Sequence, residues 1–338
     1  MKVLCLVSVL LLSVSVCGQQ VSGNHKQKSF PDQVVAGNYS GICHVKGNRY
    51  AMVSDKSPTD GFFYLDIDVD SVDGRITRVD HLRYVDGRSA HRDAEGICFL
   101  PRQQSILVVG EADHAVREYD EDGVPTGRVL QLEQAGSDYG YESLTFDAVR
   151  DAIWTCTEQS LPRDHARSPS LSAAPVIRLQ QFDTSLNPVA QYAYAMDSSY
   201  VSRKSRKKPV RWRNYAYGVS ELMALDDGSL LVLEREFYVP KRKVGAWVRC
   251  RLFTVRPESS YAFPASSSLD TVVPLPKRLL CEWKSSLHFT RRSLANYEGM
   301  CAGPLLPDGS RVVLLVSDSQ NRAGGVLKDW FKSIVIKY

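Results

Sequence analysis

The chain has 338 residues, 43% of them hydrophobic and 24% charged, and its formal net charge is +4. That length can bury a substantial core, as one large all-β domain or as two ordinary ones. So mild a positive charge is not the footprint of a nucleic-acid binder, and no nucleic acid is expected as a partner.

In chain order, Lys2 is followed by an almost wholly apolar run from Val3 to Val16, and Val16-Cys17-Gly18 ends it with side chains suited to a signal peptidase. Residues 1–18 therefore read as a cleaved secretory signal. The run is too short to span a bilayer, and Val16 is a poor neighbour for a lipidated Cys17. No later stretch approaches spanning length. The expectation is a secreted, extracellular monomer with no transmembrane segment, periplasmic in a Gram-negative host. Asn38-Tyr39-Ser40 is a glycosylation sequon, with meaning only in a eukaryotic host.

From there one phrase recurs. Ser40-Gly41-Ile42-Cys43 precedes RYAMVSD, ending at Asp55, and Glu95-Gly96-Ile97-Cys98 precedes SILVVGEAD, with Glu111 near its end. Glu142-Ser143-Leu144 precedes DAIWTCTE, ending at Glu158, and Glu221-Leu222-Met223 precedes SLLVLERE, which contains Glu234. Glu298-Gly299-Met300-Cys301 precedes RVVLLVSD, ending at Asp318. Each copy is an acid or serine, a short β-type run, a turn and a second strand ending in a carboxylate. Lys46-Gly47-Asn48, Asp226-Asp227-Gly228 and Pro307-Asp308-Gly309 mark the turns.

The copies start 55, 47, 79 and 77 residues apart. Four antiparallel strands with short turns take about 40 to 50 residues, the length of a propeller blade. The first two spacings fit. The longer two contain Ser- and Pro-rich stretches at 160–175 and 256–275 and a basic loop at 197–213, or hide a degenerate blade. The expected fold is an all-β propeller of five or six blades with inserted loops, a single domain over 30–338. The VVAG segment at Val34 is expected to help close the ring. A β-sandwich with long loops is the competing fold, and it leaves the recurring acids unexplained.

The basic loop, Arg203-Lys204-Ser205-Arg206-Lys207-Lys208 followed by Arg211 and Arg213, is a solvated segment or one that faces an anion. Beyond the signal the cysteines are Cys43, Cys98, Cys156, Cys250, Cys281 and Cys301, with no CxxC. Cys250 and Cys281, both in strand-like text, are the preferred disulfide pair. Neither Cys98 nor Cys301 has a local histidine to activate it as a nucleophile, and no GxSxG elbow exists. His81, His114 and His165 lack metal-ligand spacing. His91, near Glu95, is an acid–base candidate or an idle loop residue.

In a propeller the innermost strands surround the central channel, so equivalent positions form rings. Glu95, Glu142, Glu221 and Glu298 form one, with Ser40 in the fifth place. Asp55, Glu111, Glu158, Glu234 and Asp318 form a second at the same mouth. Bare carboxylates this close repel one another and resist desolvation. They need a hard cation, basic partners or protons. Calcium suits such an oxygen set, with the second ring as its ligands. The alternative is that the acids accept backbone N–H bonds and lock the blades together. Arg92, Arg235 and Arg322 lie close in sequence to the ring motifs, as internal partners or as a bidentate hold on an anionic substrate.

These phrases together resemble a known family. They are Tyr39-Ser40-Gly41-Ile42 with Val53-Ser54-Asp55, Asp93-Ala94-Glu95-Gly96-Ile97, Tyr141-Glu142-Ser143-Leu144, Ser220-Glu221-Leu222 through Leu233-Glu234-Arg235, and Tyr297-Glu298-Gly299 with Leu315-Val316-Ser317-Asp318. The resemblance is to the phytase-like family, described as having esterase-like activity of phytase, from about Gly37 to Val335. It implies an exported propeller-like protein acting on phosphate or other esters, with a small anionic or ester molecule as substrate. Calcium enters by analogy with propeller phytases, a warrant at the level of fold. The chain departs from the family pattern after Asp318, where Ser319-Gln320-Asn321-Arg322 stands in place of an immediate second acid or amide. Ser40 also leaves the carboxylate ring open, at a point where substrate could enter.

The chemistry implied is calcium-assisted attack by water on a phosphate ester. One of Glu95, Glu142, Glu221 or Glu298 would guide the water, and Arg235 or Arg322 would stabilise developing charge. A metal-dependent lactonase or carboxylic-ester hydrolase on the same scaffold is the first rival. A non-catalytic binding propeller is the second.

Overall fold

Among the residues described by the computed structural model (18–136, 140–164, 175–198, 215–241, 243–290 and 292–338), twenty-one strands build five antiparallel sheets. The first 17 residues of the expected signal, His165 and nearly all of the basic loop lie outside the described residues. Strands β1 (Gln20–Asn24) and β2 (Lys28–Ser29) precede blade 1, which is β3 (Tyr39–Lys46), β4 (Arg49–Ser54), β5 (Thr59–Val69) and β6 (Ile76–Ala90). Blade 2 is β7 (Ala94–Leu100), β8 (Ser105–Gly110), β9 (Ala115–Asp120) and β10 (Pro125–Gln131). Blade 3 is β11 (Tyr141–Asp147), β12 (Ala152–Thr157), β13 (Val176–Asp183) and β14 (Pro188–Ala195). Blade 4 is β15 (Tyr215–Ala224), β16 (Leu230–Tyr238), β17 (Ala246–Val255) and β18 (Lys277–Leu287). Blade 5 is β19 (Asn296–Leu305), β20 (Arg311–Asp318) and β21 (Trp330–Lys337), completed by β1.

The inner strands β3, β7, β11, β15 and β19 touch in succession, and β19 meets β3. The result is a five-bladed propeller. Among the described residues, the long spacings hold insertions and no sixth blade. Residues 256–275 run along the outer edge of blade 3, where Phe263 N–H donates to Gln191 O at 3.0 Å and Leu275 N–H to Ala193 O at 2.8 Å.

Ring closure differs from expectation. The VVAG segment adds no strand; Val34 is buried in a turn, and its carbonyl accepts from Arg322. Closure falls to β1, whose residues Gln20 to Asn24 pair with Lys337 to Ile334 of β21. The propeller thus begins at Gln20, upstream of the expected boundary at Phe30, and a cut after Gly18 leaves the closing strand whole.

The buried apolar residues fall into five clusters, one per blade junction. Met52 packs towards blade 5, while its neighbours Ala51 and Val53 pack towards blade 2. Successive side chains of a strand point to opposite faces, and here both faces are core. That is why strands such as β8 (SILVVG) and β16 read as continuous apolar runs instead of alternating ones. The turns carry glycine where φ is positive: Gly228 at +79° and Gly309 at +82°. Other residues rarely adopt that geometry.

The cysteine pairing is also corrected. Directly across from Cys250 lies Trp283, and Cys281 faces Leu252, so the two cysteines are diagonal neighbours. Such neighbours lie about 7–8 Å apart, beyond the usual Cα separation of a disulfide. All six described cysteines are free thiols. The sequon residue Asn38 is buried, which leaves no room for a glycan in the folded chain.

Candidate active site at the carboxylate mouth

Every inner strand holds an irregularity near its start. The register slips between Tyr39 and Ile42, Ala94 and Gly96, Tyr141 and Ser143, Val219 and Glu221, and Tyr297 and Gly299. A bulge re-aims the side chain that drops out of the ladder. The residues at that point are Ser40, Glu95, Glu142, Ser220 and Glu298. On the second strands, the pairing partners of Tyr39, Ala94, Tyr141, Val219 and Tyr297 are Ser54, Gly110, Thr157, Glu234 and Ser317. The next residues are Asp55, Glu111, Glu158, Arg235 and Asp318, and these approach the mouth.

In blade 4, therefore, both expected acids are one residue out of register. Ser220 takes the place assigned to Glu221, and Arg235 the place assigned to Glu234. Glu221 stands level with Gly41, Gly96, Ser143 and Gly299, where the inner strands crowd together: a Cβ on Gly96 would lie 2.7 Å from Leu144 N. Its carboxylate accepts from Leu222 N–H at 3.0 Å. Burial pushes its pKa well above the ordinary value, opposed by the N–H groups of Leu222, Leu144 and Met300. Glu221 thus sits at the waist of the channel facing the Leu144 and Met300 N–H groups of two neighbouring inner strands, with its second carboxylate oxygen buried and without a hydrogen-bond partner. Glu234 lies in the junction between blades 3 and 4, 2.7 Å from both Tyr194 OH and Lys277 Nζ and 3.0 Å from Arg251.

Two expected substrate arginines are also placed elsewhere. Arg92 is buried among Asp60 at 2.6 Å, Asp113 at 2.9 Å and the carbonyls of Ala115 and Val108. Arg322 pairs with Asp329 at 2.6 Å and holds the Pro31 and Val34 carbonyls. Arg235 does reach the mouth, but as a fixed partner of the acids. It contacts Glu158 at 2.8 Å, Asn296 at 3.1 Å and Glu298, and lies over the Phe237 ring. Ser40 does not open a door; its hydroxyl donates to Ala94 O at 2.7 Å.

The junctions between blades explain which acids are left over. The second-strand residue of one blade meets the residue just before the bulge segment of the next. Glu111 accepts from Gly140 N–H at 2.8 Å, and a Cβ on Gly140 would sit 2.1 Å from Glu111 Cγ. Glu158 packs on Gly218 in the same way, and Arg235 bonds Asn296. At the junction of blades 1 and 2 the pair is Asp55 and Asp93, and the bulged Glu95 joins them. Oxygens of these three acids lie within 4.8 Å of one another. Asp93 holds its place with a left-handed backbone, φ +58°. Lys56 Nζ sits 3.1 Å from Asp55 and 3.0 Å from Asp93, and His91 Nε2 is 3.7 Å from Asp93.

Glu95, 7% exposed, has no hydrogen-bond partner among the described residues, and neither has Glu142 at 9%. Burial raises both carboxyls well above their ordinary values; Glu142, Glu298, Asp55 and Glu111 add to the rise at Glu95, and Glu158 adds to it at Glu142, where Arg235 opposes. Glu298 is pushed up to about 8 by burial, against the pull of Arg235. Asp55 is pushed up to about 6 by burial, against the pull of Lys56.

Of the expected calcium ligands, Glu111 has the Gly140 N–H, Glu158 has Arg235, Glu234 lies elsewhere, and Asp318 accepts from Gln320 N–H at 2.6 Å. Asp55 alone remains, with one buried oxygen that lacks any partner. Its companions are Asp93 and Glu95. This all-oxygen set with an orphaned acceptor fits a hard cation. Sequence reasoning passed over Asp93 and Lys56, although Asp93-Ala94-Glu95 and Asp55-Lys56 display them. The far end of the channel is a funnel of about 450 Å³ lined by Ile42, Leu144, Phe146 and Met300 together with His44, Asp226 and Arg311.

Among solved structures, the chain is similar to a luciferin-regenerating enzyme at 8% identity and a TM-score of 0.43, covering 92% of this chain and 95% of that one. It is similar to a streptogramin B lyase at 10% and 0.40, covering 93% and 98%, and to a DUF4221-family protein from Bacteroides vulgatus at 10% and 0.41, covering 94% and 98%. Likeness at this level says nothing of chemistry. No curated protein matches the sequence. A family profile does match, over residues 35–320, which takes in every acid of the mouth; the chain belongs to the phytase-like family, "esterase-like activity of phytase".

Proposed function

We propose that the protein is an exported ester hydrolase, acting on phosphate esters at the carboxylate mouth with the help of a divalent cation. The observation that carries this reading is the pair of buried, unpartnered glutamates, Glu95 and Glu142, beside the Asp55–Asp93 pair. Calcium held by Asp55, Asp93 and Glu95 would polarise the ester oxygen as a Lewis acid. Glu142 faces the mouth without a competing hydrogen bond, and Arg235 favours its charged form. It is the group suited to take a proton from attacking water. Glu298 is less free, since Arg235 and Asn296 already occupy its Oε1. Arg235 keeps Glu158 and Glu298 paired, and its positive charge remains near the reacting centre as negative charge develops. His91, 38% exposed and 3.7 Å from Asp93, would protonate a leaving oxygen.

Chelator-stripped protein should release phosphate from phytate or simpler phosphomonoesters only after calcium is restored. Absence of release in both conditions, from folded protein, would remove phosphate esters. Opening of lactones or carboxylic esters by the same preparation would move the assignment to that class.

A further inference from the structure

Among the described residues, Arg235 and Lys56 are two basic side chains of opposite character at the mouth. Arg235 is 6% exposed, bonded to Glu158, Glu298 and Asn296, and stacked on Phe237. It is part of the wall. The Lys56 side chain is 59% exposed and touches Asp55 at 3.1 Å and Asp93 at 3.0 Å, whose other basic neighbour among the described residues is the His91 ring, 3.7 Å from Asp93. Lys56 follows β4 directly in a turn closed by Ser57 N–H to Ser54 O at 3.2 Å, so its long stem can swing without moving the sheet. Glu95, the third acid of the group, is buried and receives nothing from Lys56. One ammonium therefore shields two of three clustered carboxylates. A divalent ion would meet all three.

Resting on the calcium reading above, we propose that Lys56 is a detachable stand-in for the metal. It holds the Asp55–Asp93 pair while no cation is bound, and metal binding displaces it to the rim, where its ammonium receives the anionic group of a phosphate ester. Loading of the site and capture of substrate are then coupled. The carboxylates release the lysine only to a cation, and the lysine is free for phosphate only when they have done so. Lys56 is the residue that sets this order, a specificity device for anionic substrates that none of the arginines near the ring motifs supplies.

An exposed ion pair is weak, which is what a releasable partner requires. Removing it should tighten calcium binding by roughly three- to tenfold. The test uses full-length mature protein: calcium titration calorimetry on wild type and Lys56→Gln, amine labelling of Lys56 read by mass spectrometry with and without calcium, and inorganic phosphate binding to both calcium-loaded proteins. The expected results are tighter calcium binding by Lys56→Gln, a rise in Lys56 labelling when wild type takes up calcium, and weaker phosphate binding by the loaded variant. Tighter calcium binding without the rise in labelling is only the field of a nearby charge, and overturns displacement. Equal calcium affinities with unchanged labelling overturn the inference and leave the calcium reading standing. If neither protein binds calcium, both fall.

Discussion

Glu142 and Glu221 are both buried glutamates near the start of an inner strand, yet they should answer to substitution in opposite ways. Glu142 faces the mouth with no hydrogen bond to lose. Glu142→Gln should lower turnover by about 10²-fold while the melting temperature holds or rises, since a buried like-charged neighbour of Glu158 is removed. Glu221 lies at the waist, its carboxyl already pushed towards its neutral form. Glu221→Gln should leave turnover within about twofold, whereas Glu221→Ala strands the Leu222 N–H it accepts from and should cost about 1–3 kcal/mol in urea unfolding. A large loss of turnover with unaltered stability in Glu221→Gln would contradict its placement at the waist. Arg235→Met should cost about 3–5 kcal/mol, because Glu158 and Glu298 are left buried without their partner. At this scale the sequence was readable to within one residue. Aligning the glutamates of Gly140-Tyr141-Glu142-Ser143 and Gly218-Val219-Ser220-Glu221 sets blade 4 one step out. Aligning the glycines sets it right, because Gly140 and Gly218 are each demanded by a carboxylate stem from the preceding blade.

At the scale of the strand, the bulge and the junction decide what the mouth contains. Gly140 is not interchangeable: a Cβ there would sit 2.1 Å from Glu111 Cγ. Gly140→Ala should destabilise the protein by about 1–3 kcal/mol through forced displacement of that side chain, measurable as a fall in the unfolding midpoint. The strands themselves were legible because apolar runs bounded by Asp-Gly turns leave little choice. Bulges were not legible, since one extra residue leaves the apolar pattern almost intact. They are what placed Glu95 beside Asp55 and Asp93. The disulfide expectation failed for a related reason. Sequence shows that Cys250 and Cys281 lie in strands, and only register shows that they sit diagonally. Closure by β1 was hidden too, because QVSGN is short, half-polar and adjacent to the expected signal. Its reality can be tested by deleting residues 18–24, which should expose the edge of β21, lower the melting temperature and promote association through that edge.

For the whole molecule, the mouth is a store of displaced protons. Burial pushes Glu298 up to about 8 and Asp55 up to about 6 in the fold, and it also raises Glu95 and Glu142 well above their ordinary values. The folded protein therefore binds more protons than the unfolded chain across this range. Stability without metal should be fullest below about pH 4 as far as these groups are concerned, and Asp55's share is lost as pH rises through about 6. Stability should fall as pH rises through about 8 for Glu298, at about 1.4 kcal/mol per pH unit for each group in transition. Saturating calcium should flatten the slope, since it offsets the charge that the protons would otherwise neutralise. Melting temperatures from pH 4.5 to 8.5, with chelator and with calcium, test this. A metal-free slope of the opposite sign would show that the acids are not buried together. The five-fold repeat was plain in the chain, but the asymmetry of the mouth, with Arg235 on one side and bare acids on the other, depended on register and on which residue each blade offers its neighbour.

The strand that is made first is the one the ring needs last. Between β1 and β21 lie roughly 300 residues, which take about 15–60 s to synthesise at ~5–20 residues per second. Throughout that time the Gln20–Asn24 segment has no partner, while four blades can already pair from local hairpins. On the export reading proposed above, the segment next to the signal would lead the way across the membrane and stay unpaired until the last strand follows. Sealing the ring would then be an event of the far side, and the mouth would gain its full set of five blades only there.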